Sequence, residues 1–171
     1  MNSIDTEIYN LAIQAGIPAP VAIWIVCQAR LETGNYTSAA FTLYFNCFGY
    51  DYVGQAGAYD SGLPNDDGDG NDVAGYDGLD GSVIELVGWL TRRQNQGLFQ
   101  ISSLTSAKSY AEALKAGGYY KESSDQYASD LQTIYGQIGG GSVSNQAGGG
   151  KMAGIGLLIG LGLLFSLLKR K

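Results

Sequence analysis

The sequence predicts a mainly α-helical (α+β) domain that carries a small irregular or β-rich lobe and is followed by one C-terminal transmembrane helix. Three observations support this fold class. Helical periodicity, broken by Gly and Pro, covers residues 1–34 and returns after residue 81. Residues 35–80 lose that periodicity and are rich in Gly, Tyr and Asp. A Gly/Ser-rich stretch then separates the last helical segment from an uncharged apolar run.

The first two helices are indicated by caps and breaks. Asp5 or Thr6 is a suitable N-cap for a helix that reaches about Ala15. The following Gly-Ile-Pro breaks this helix, and Pro18 and Pro20 suit the first turn of the second. The second helix is strongly apolar and ends in Leu-Glu-Thr-Gly. The lobe is therefore inserted directly after it.

Three more helices are predicted after the lobe. Capping-box patterns begin at Ser82 and at Ser109, and Ser106 offers an earlier start for the second of these helices. The last helix begins near Ser123 or Ser124. A lobe inserted between two groups of helices leaves a cleft, with the end of the second helix at its edge.

Glu32 is the most informative residue, because it lies in the last turn of the second predicted helix. An apolar run precedes it, and Gly34 is the residue type that ends helices in a left-handed cap. A carboxylate there meets the negative end of the helix dipole and poorly solvating apolar surface, and both effects favour the protonated acid. Such a group can donate a proton to a leaving oxygen. The alternative is an exposed, solvated Glu at a helix end.

The composition excludes several classes of function. The chain contains no His, which rules out His triads, His-ligated zinc and a His general base. A net charge of -6 argues against nucleic-acid binding by the main domain, because that requires a basic face. Residues 2–10 are polar and partly acidic, which predicts no N-terminal signal peptide. Cys27 and Cys47 are interpreted either as buried thiols or as a disulfide in an oxidising compartment.

The main domain is predicted to cover residues 1–138, and residues 139–150 to form a flexible Gly/Ser-rich linker. Residues 151–171 then form a transmembrane anchor with a basic tail. The uncharged run within it, residues 152–168, makes about 25 Å of helix, which is at the short end for a membrane span.

Two features of this anchor predict how it lies in a membrane. The Lys-Arg-Lys tail places the C-terminus on the cytoplasmic or interior side, by the positive-inside rule. Gly156 and Gly160 form a GxxxG pair, which allows helix–helix association. The chain is therefore expected to be a single-pass protein of a virion membrane or of a host inner membrane.

Several segments, taken in order, resemble one enzyme family. Residues 28–34 read Gln-Ala-Arg-Leu-Glu-Thr-Gly, residues 46–49 Asn-Cys-Phe-Gly, residues 75–82 Gly-Tyr-Asp-Gly-Leu-Asp-Gly-Ser, residues 118–120 Gly-Tyr-Tyr, and residues 125–128 Asp-Gln-Tyr-Ala. They resemble the glucosaminidase family (glycoside hydrolase family 73) of the lysozyme-like superfamily. The resemblance implies a lysozyme-like helical fold and cleavage of the β-1,4 glycan backbone of peptidoglycan. It also implies that Glu32 is the general acid.

The resemblance further implies a second acid in the irregular lobe, which contains no Glu in this chain. Asp66 and Asp67 lie nearest the expected position, and Asp60, Asp69 and Asp72 are alternatives. This second carboxylate would activate water or stabilise the oxocarbenium-like transition state. Candidates for binding or stacking on the sugar are Gln28, Tyr50, Tyr52, Tyr59, Tyr76 and Tyr127, although each could instead pack within the domain.

Residues 65–72 also resemble a calcium loop, with Asp67, Asp69 and Asn71 as candidate ligands. Tyr76 occupies the position where such a loop has its bidentate Glu, so a solvated acidic turn is the default interpretation. No other cofactor is expected.

The leading interpretation is a membrane-anchored peptidoglycan hydrolase of a phage, acting during infection or in lysis. Two alternatives stay open: a lytic transglycosylase that uses Glu32 alone, and a non-catalytic glycan-binding or structural virion protein. A pore-forming role for the apolar segment is a third.

Overall fold

The computed structural model describes residues 1–65, 70–121 and 123–139. Within these ranges the chain forms six α-helices and one two-stranded antiparallel sheet. The elements are α1 (Ser3–Gln14), α2 (Ala19–Glu32), α3 (Ala39–Tyr44), β1 (Tyr59–Pro64), β2 (Asp72–Gly75), α4 (Leu79–Asn95), a 3-10 helix (Ile101–Ser103), α5 (Ala107–Ala116) and α6 (Ser124–Gln137). The predicted mainly helical domain with a small β lobe is therefore confirmed.

Several predicted features lie outside the described residues. They are the linker from residue 140 onward, the apolar segment with Gly156 and Gly160, and the acidic residues Asp66, Asp67 and Asp69. In the part of the chain that the structure describes, no helix has both the length and the apolar character that a membrane span requires.

The N-cap of α1 is Asn2, so the predicted cap at Asp5 or Thr6 is wrong. The Asn2 side chain accepts a hydrogen bond from the Asp5 amide at 2.9 Å, and the Asp5 carboxylate accepts one from the Asn2 amide at 2.7 Å. The two residues form a capping box, in which the acidic residue stands at the third helical position rather than at the cap.

The helix α4 begins at Leu79, one turn before the predicted start at Ser82. Ser82 is completely buried inside the helix, and its Oγ accepts a hydrogen bond from the Cys47 amide at 3.0 Å. Its hydroxyl therefore joins the lobe to α4 instead of capping the helix. The earlier of the two predicted starts of α5 is confirmed, since Ser106 caps that helix.

The central element of the helical core is α2, which packs against α1, α5 and α6. Its buried residues lie on most of its circumference, as expected for a helix that is apolar all round. They are Val21, Ala22, Trp24, Ile25, Val26, Cys27, Gln28 and Ala29. Because α2 is enclosed, the direction of its C-terminal end is fixed by the whole domain.

A buried ion pair connects the start of α1 to the end of α2. Asp5 is completely buried, and Arg30 donates to its two carboxylate oxygens from Nε and Nη2, each at 2.7 Å. The Tyr36 hydroxyl donates to the same carboxylate at 2.8 Å. Burial alone would raise the pKa of Asp5, but the hydrogen bonds from Arg30, Tyr36 and the Asn2 backbone hold it below its usual value.

Both cysteines are completely buried free thiols, which decides between the two interpretations drawn from the sequence. Burial raises the pKa of Cys27 and that of Cys47 to about 12. Both side chains therefore act as small apolar core residues at neutral pH.

The variant Asp5→Asn tests the buried ion pair, because it keeps the side-chain size and removes the charge that faces Arg30. We expect the free energy of unfolding at neutral pH to fall by about 3 kcal/mol, since Arg30 is left uncompensated. Urea unfolding followed by circular dichroism measures the change. Glu85→Gln is the matched control, because it breaks an ion pair whose partner, Arg92, is 59% exposed. We expect this variant to lower the free energy of unfolding by less than about 1 kcal/mol.

The same variant has a defined effect on the pH dependence of stability. The pKa of Asp5 lies below its ordinary value of 3.8, so its contribution is complete above that pH and is lost as the pH falls through the folded-state value. Asp5→Asn should therefore flatten the acid side of the stability curve. An acid slope equal to that of the wild type would contradict this role of Asp5.

Candidate active site

Glu32 is the last residue of α2, and the chain reverses directly after it. The Gly34 amide donates to the Leu31 carbonyl, and the Asn35 amide donates to the Arg30 carbonyl at 2.8 Å. These two bonds form a Schellman motif. Gly34 has a φ of +57°, which confirms the predicted left-handed cap. The motif fixes the final helical turn and leaves the Glu32 side chain half-buried.

The turn after Glu32 continues through two further left-handed residues, Asn35 with a φ of +59° and Tyr36 with a φ of +70°. Non-glycine residues rarely adopt this conformation, and each costs on the order of 1–3 kcal/mol. Two contacts offset that cost. The Tyr36 amide donates to the Thr33 hydroxyl at 2.8 Å, and the Tyr36 hydroxyl is held by Asp5. The backbone that presents Glu32 is therefore anchored on α1.

Tyr127 of α6 contacts Glu32 directly. Its hydroxyl donates to Glu32 Oε1 at 2.7 Å, although the two residues are 95 positions apart in the chain. Tyr127 is 8% exposed, so this bond lies at the edge of the core. A hydrogen bond to a carboxylate is stronger than one between neutral groups, and it restricts the rotamer of the acid. Tyr127 was predicted to bind a ligand, and the structure places it against the predicted acid.

Gln28 lies one turn before Glu32 in α2 and is completely buried. Its Oε1 accepts a hydrogen bond from the Tyr110 hydroxyl of α5 at 2.6 Å. Burial raises the pKa of Tyr110 well above its ordinary value, and the negative charge of Glu32 adds to the rise. Glu32 therefore lies near this buried phenol. The binding role of Gln28 stays a prediction.

Asn46 fastens the loop of residues 46–50 to strand β2. Its Nδ2 donates to the Tyr50 carbonyl at 2.8 Å and to the Ala74 carbonyl at 2.9 Å. Its Oδ1 accepts from the Phe48 amide at 3.3 Å and from the Tyr50 amide at 3.0 Å. One buried amide side chain thus satisfies four backbone groups, and it fixes the loop from which Tyr50 projects.

The same loop contacts the connection between α5 and α6. The Tyr119 hydroxyl donates to the Phe48 carbonyl at 2.6 Å. The ring of Tyr50 lies edge-on to the ring of Tyr119, with 6.0 Å between the centroids. These contacts join the lobe to the chain segment that leads into Tyr127.

The remaining predicted ligand-binding tyrosines lie in or beside the sheet. Tyr59 is 40% exposed, and its ring covers Gly75, the residue opposite it in the sheet, where a Cβ atom would clash with it. Tyr52 is half-buried, and its amide donates to the Asp72 carbonyl at 2.7 Å. Tyr76 is 1% exposed and belongs to the core. Their binding roles stay predictions.

Asp60 and Asp72 form a carboxyl pair across the hairpin. Burial, then a hydrogen bond with Asp60 and its negative charge, raise the pKa of Asp72. Two carboxyls that share a hydrogen bond hold a proton more tightly than an isolated one does. Both were alternatives for the second acid, and the first choices, Asp66 and Asp67, lie outside the described residues.

Two of the three candidate calcium ligands lie outside the residues that the structure describes. They are Asp67 and Asp69, whereas Asn71 is described and half-buried. Among the described residues, no group of three or more Cys, Asp or Glu side chains is arranged to hold a metal ion.

The sequence assigned no role to Arg30, Tyr110 or Tyr119, which support the site from three elements. The only sequence signal at Arg30 is its place in the last turn of α2, and it is weak because a cation there is favourable whatever it contacts. The contacts of Tyr110 and Tyr119 reach residues 82 and 71 positions away, and no local pattern reports them.

A model of the glucosaminidase family, described as mannosyl-glycoprotein endo-beta-N-acetylglucosaminidase, matches residues 6–139 of the chain. The match covers α2 with Glu32, the lobe and α6 with Tyr127. Searches among curated proteins and among solved structures found no significant match.

The variant Asn46→Ala tests how the loop of residues 46–50 is held to β2. It removes the side-chain partner of the Phe48 amide, the Tyr50 amide and the Ala74 carbonyl, whereas the Tyr50 carbonyl keeps its bond from the Ala74 amide. We expect the free energy of unfolding to fall by about 3 kcal/mol. Urea unfolding measures this, and hydrogen exchange should accelerate most at the lobe amides. Asn10→Ala, at an exposed position of α1, is the control and should change stability by less than about 0.5 kcal/mol. Equal stability losses in both variants would refute the role of Asn46.

Proposed function

The chain belongs to the glucosaminidase family, and from this we propose that it cleaves the β-1,4 glycan backbone of peptidoglycan with Glu32 as the general acid. Membership makes the chain a glycosidase, and peptidoglycan is the substrate that fits such a domain. The observation that carries the assignment is the hydrogen bond from Tyr127 to Glu32 Oε1, at 2.7 Å. It holds a half-buried carboxyl group at the end of a helix that cannot move independently of the core.

The reaction requires that an acid protonate the glycosidic oxygen while positive charge develops at the anomeric carbon. Glu32 supplies the proton in this proposal, and Tyr127 restricts the carboxyl group to one orientation. A second carboxylate activates water or stabilises the developing charge, and it comes from the Asp-rich hairpin. Asp66 and Asp67 are nearest the position that the family resemblance implies, and Asp60 and Asp72 are the described alternatives.

A lytic transglycosylase is the second candidate, because the lobe contains no Glu and a neutral side chain, that of Tyr127, holds Glu32. In that reaction Glu32 acts first as acid and then as base, and a hydroxyl of the sugar replaces water. Mass spectrometry of the products distinguishes the two reactions. Hydrolysis leaves reducing glucosamine or muramic acid ends, whereas internal attack leaves anhydro-muramic ends.

The variant Glu32→Gln tests the proposed acid, because the amide keeps the shape of the side chain but cannot donate a proton at neutral pH. We expect the rate of turbidity loss of purified peptidoglycan to fall at least about 100-fold, the usual contribution of general acid catalysis. Thermal unfolding should show that the variant is folded.

Glu7→Gln, at an exposed position of α1, is the matched control and should keep the wild-type rate. Equal rates for Glu32→Gln and the wild type would remove Glu32 from the mechanism. A wild-type protein that binds peptidoglycan without cleaving it over a range of pH would favour the non-catalytic alternative.

We also propose that residues 151–171 anchor the enzyme in a virion membrane or a host inner membrane. The sequence supports this with its uncharged run, its basic tail and the Gly156–Gly160 pair. The Gly/Ser-rich residues 139–150 would act as a tether that keeps the enzyme close to the cell wall and raises its effective concentration there. A role in phage infection or lysis follows from the combination of a lytic domain with such an anchor.

Flotation with lipid vesicles tests the anchor. We expect the full chain to float with the vesicles after reconstitution and a chain ending at residue 150 to stay at the bottom of the gradient. Both proteins should cleave soluble peptidoglycan fragments at similar rates, because the domain matched by the family model ends at residue 139. Flotation of the shortened chain would place membrane binding in the domain instead.

A further inference from the structure

Tyr120 lies directly behind Tyr127. The two rings are stacked, with 4.2 Å between their centroids and 14° between their planes. Tyr120 is 5% exposed, so its ring forms part of the core. Because the Tyr127 hydroxyl donates to Glu32, the position of the Tyr127 ring determines where that donor lies.

Tyr120 is itself fixed by several contacts. Its hydroxyl donates to the Ala111 carbonyl of α5 at 2.7 Å. The Lys115 ammonium lies 5.8 Å from the centroid of the Tyr120 ring, a cation–π distance, and it also donates to the Lys121 carbonyl. The ring is therefore held by α5 and by the chain that leads into α6.

We propose that Tyr120 is a positioning residue for the general acid: it holds the Tyr127 ring so that the Tyr127 hydroxyl stays on Glu32 Oε1. This inference rests on the proposed function, in which Glu32 is that acid. A stacked ring restricts both side-chain torsions of Tyr127, and a hydrogen bond of 2.7 Å tolerates displacements of only about 0.5 Å. Without the stack, the Tyr127 hydroxyl would exchange Glu32 for water, and Glu32 would sample unproductive rotamers.

The variant Tyr120→Leu removes the stack and keeps an apolar side chain. We expect kcat to fall about tenfold with little change in KM, because substrate contacts are retained while the acid is poorly oriented.

Two further variants separate positioning from general stability. Tyr120→Phe keeps the ring and loses only the hydrogen bond to the Ala111 carbonyl. Its activity should therefore stay within about threefold of the wild type. Tyr135→Leu is the matched control, because Tyr135 packs on Trp24 with 4.9 Å between the ring centroids and lies two turns further along α6. It removes an aromatic pair from the same helix, so it should lower Tm without changing kcat.

A double-mutant cycle tests whether Tyr120 acts through Tyr127. Tyr127→Phe removes the donor itself, so adding Tyr120→Leu to it should lower kcat by less than about twofold. Independent, multiplicative losses would overturn the proposal. So would a Tyr120→Leu enzyme with the wild-type kcat.

A readout that does not depend on activity keeps this inference separate from the proposed function. In protein with carbon-13 label in the Glu side chains, the resonance of the Glu32 carboxyl at neutral pH should shift in Tyr120→Leu in the same direction as in Tyr127→Phe, because both variants release its hydrogen bond. An unchanged resonance overturns the positioning role even if the wild type cleaves peptidoglycan. A shifted resonance in a protein that does not cleave peptidoglycan supports the contact and refutes the proposed function alone.

Discussion

The buried ion pair between Asp5 and Arg30 is the constraint on which the rest of the structure depends. Asp5 is completely buried, and Arg30, Tyr36 and the Asn2 backbone supply its hydrogen bonds. These bonds join the first turn of α1 to the last turn of α2 and to the strained turn behind it. Because an unpaired buried charge costs several kcal/mol, the two helix ends stay together. Glu32 therefore projects from a helix end that does not fray.

The site is assembled from distant parts of the chain, and tyrosine hydroxyls donate many of the hydrogen bonds that connect these parts. Tyrosine suits this use because it combines a large apolar ring with one hydrogen-bond donor. In a chain without His, such donors connect α1, α2, the lobe, α5 and α6 around the acid. The contacts are Tyr36 to Asp5, Tyr110 to Gln28, Tyr119 to Phe48, Tyr120 to Ala111 and Tyr127 to Glu32.

The helices were predictable because caps, breaks and apolar periodicity act within a few residues. Gly34 ends α2 and Ser106 begins α5 as their patterns indicate. Ser82 shows where such reasoning fails. Its sequence context is a capping box, yet its hydroxyl is taken by the Cys47 amide, 35 positions away. A cap pattern specifies which hydrogen bonds a side chain can make, and the fold decides which one forms.

The sequence by itself determined five of the six α-helices of the described residues, the position of Glu32 at a helix end, the left-handed cap behind it and the family to which the chain belongs. These features depend on local geometry or on short ordered motifs. The short helix α3 lies in the stretch predicted to lack helical periodicity, so that part of the prediction was wrong. Only the tertiary structure decided that Arg30 pairs with Asp5 across 25 positions and that Tyr127 reaches Glu32 across 95. The physical reason is that such partners are selected by packing and desolvation in the folded core, and neither leaves a periodic trace in the chain.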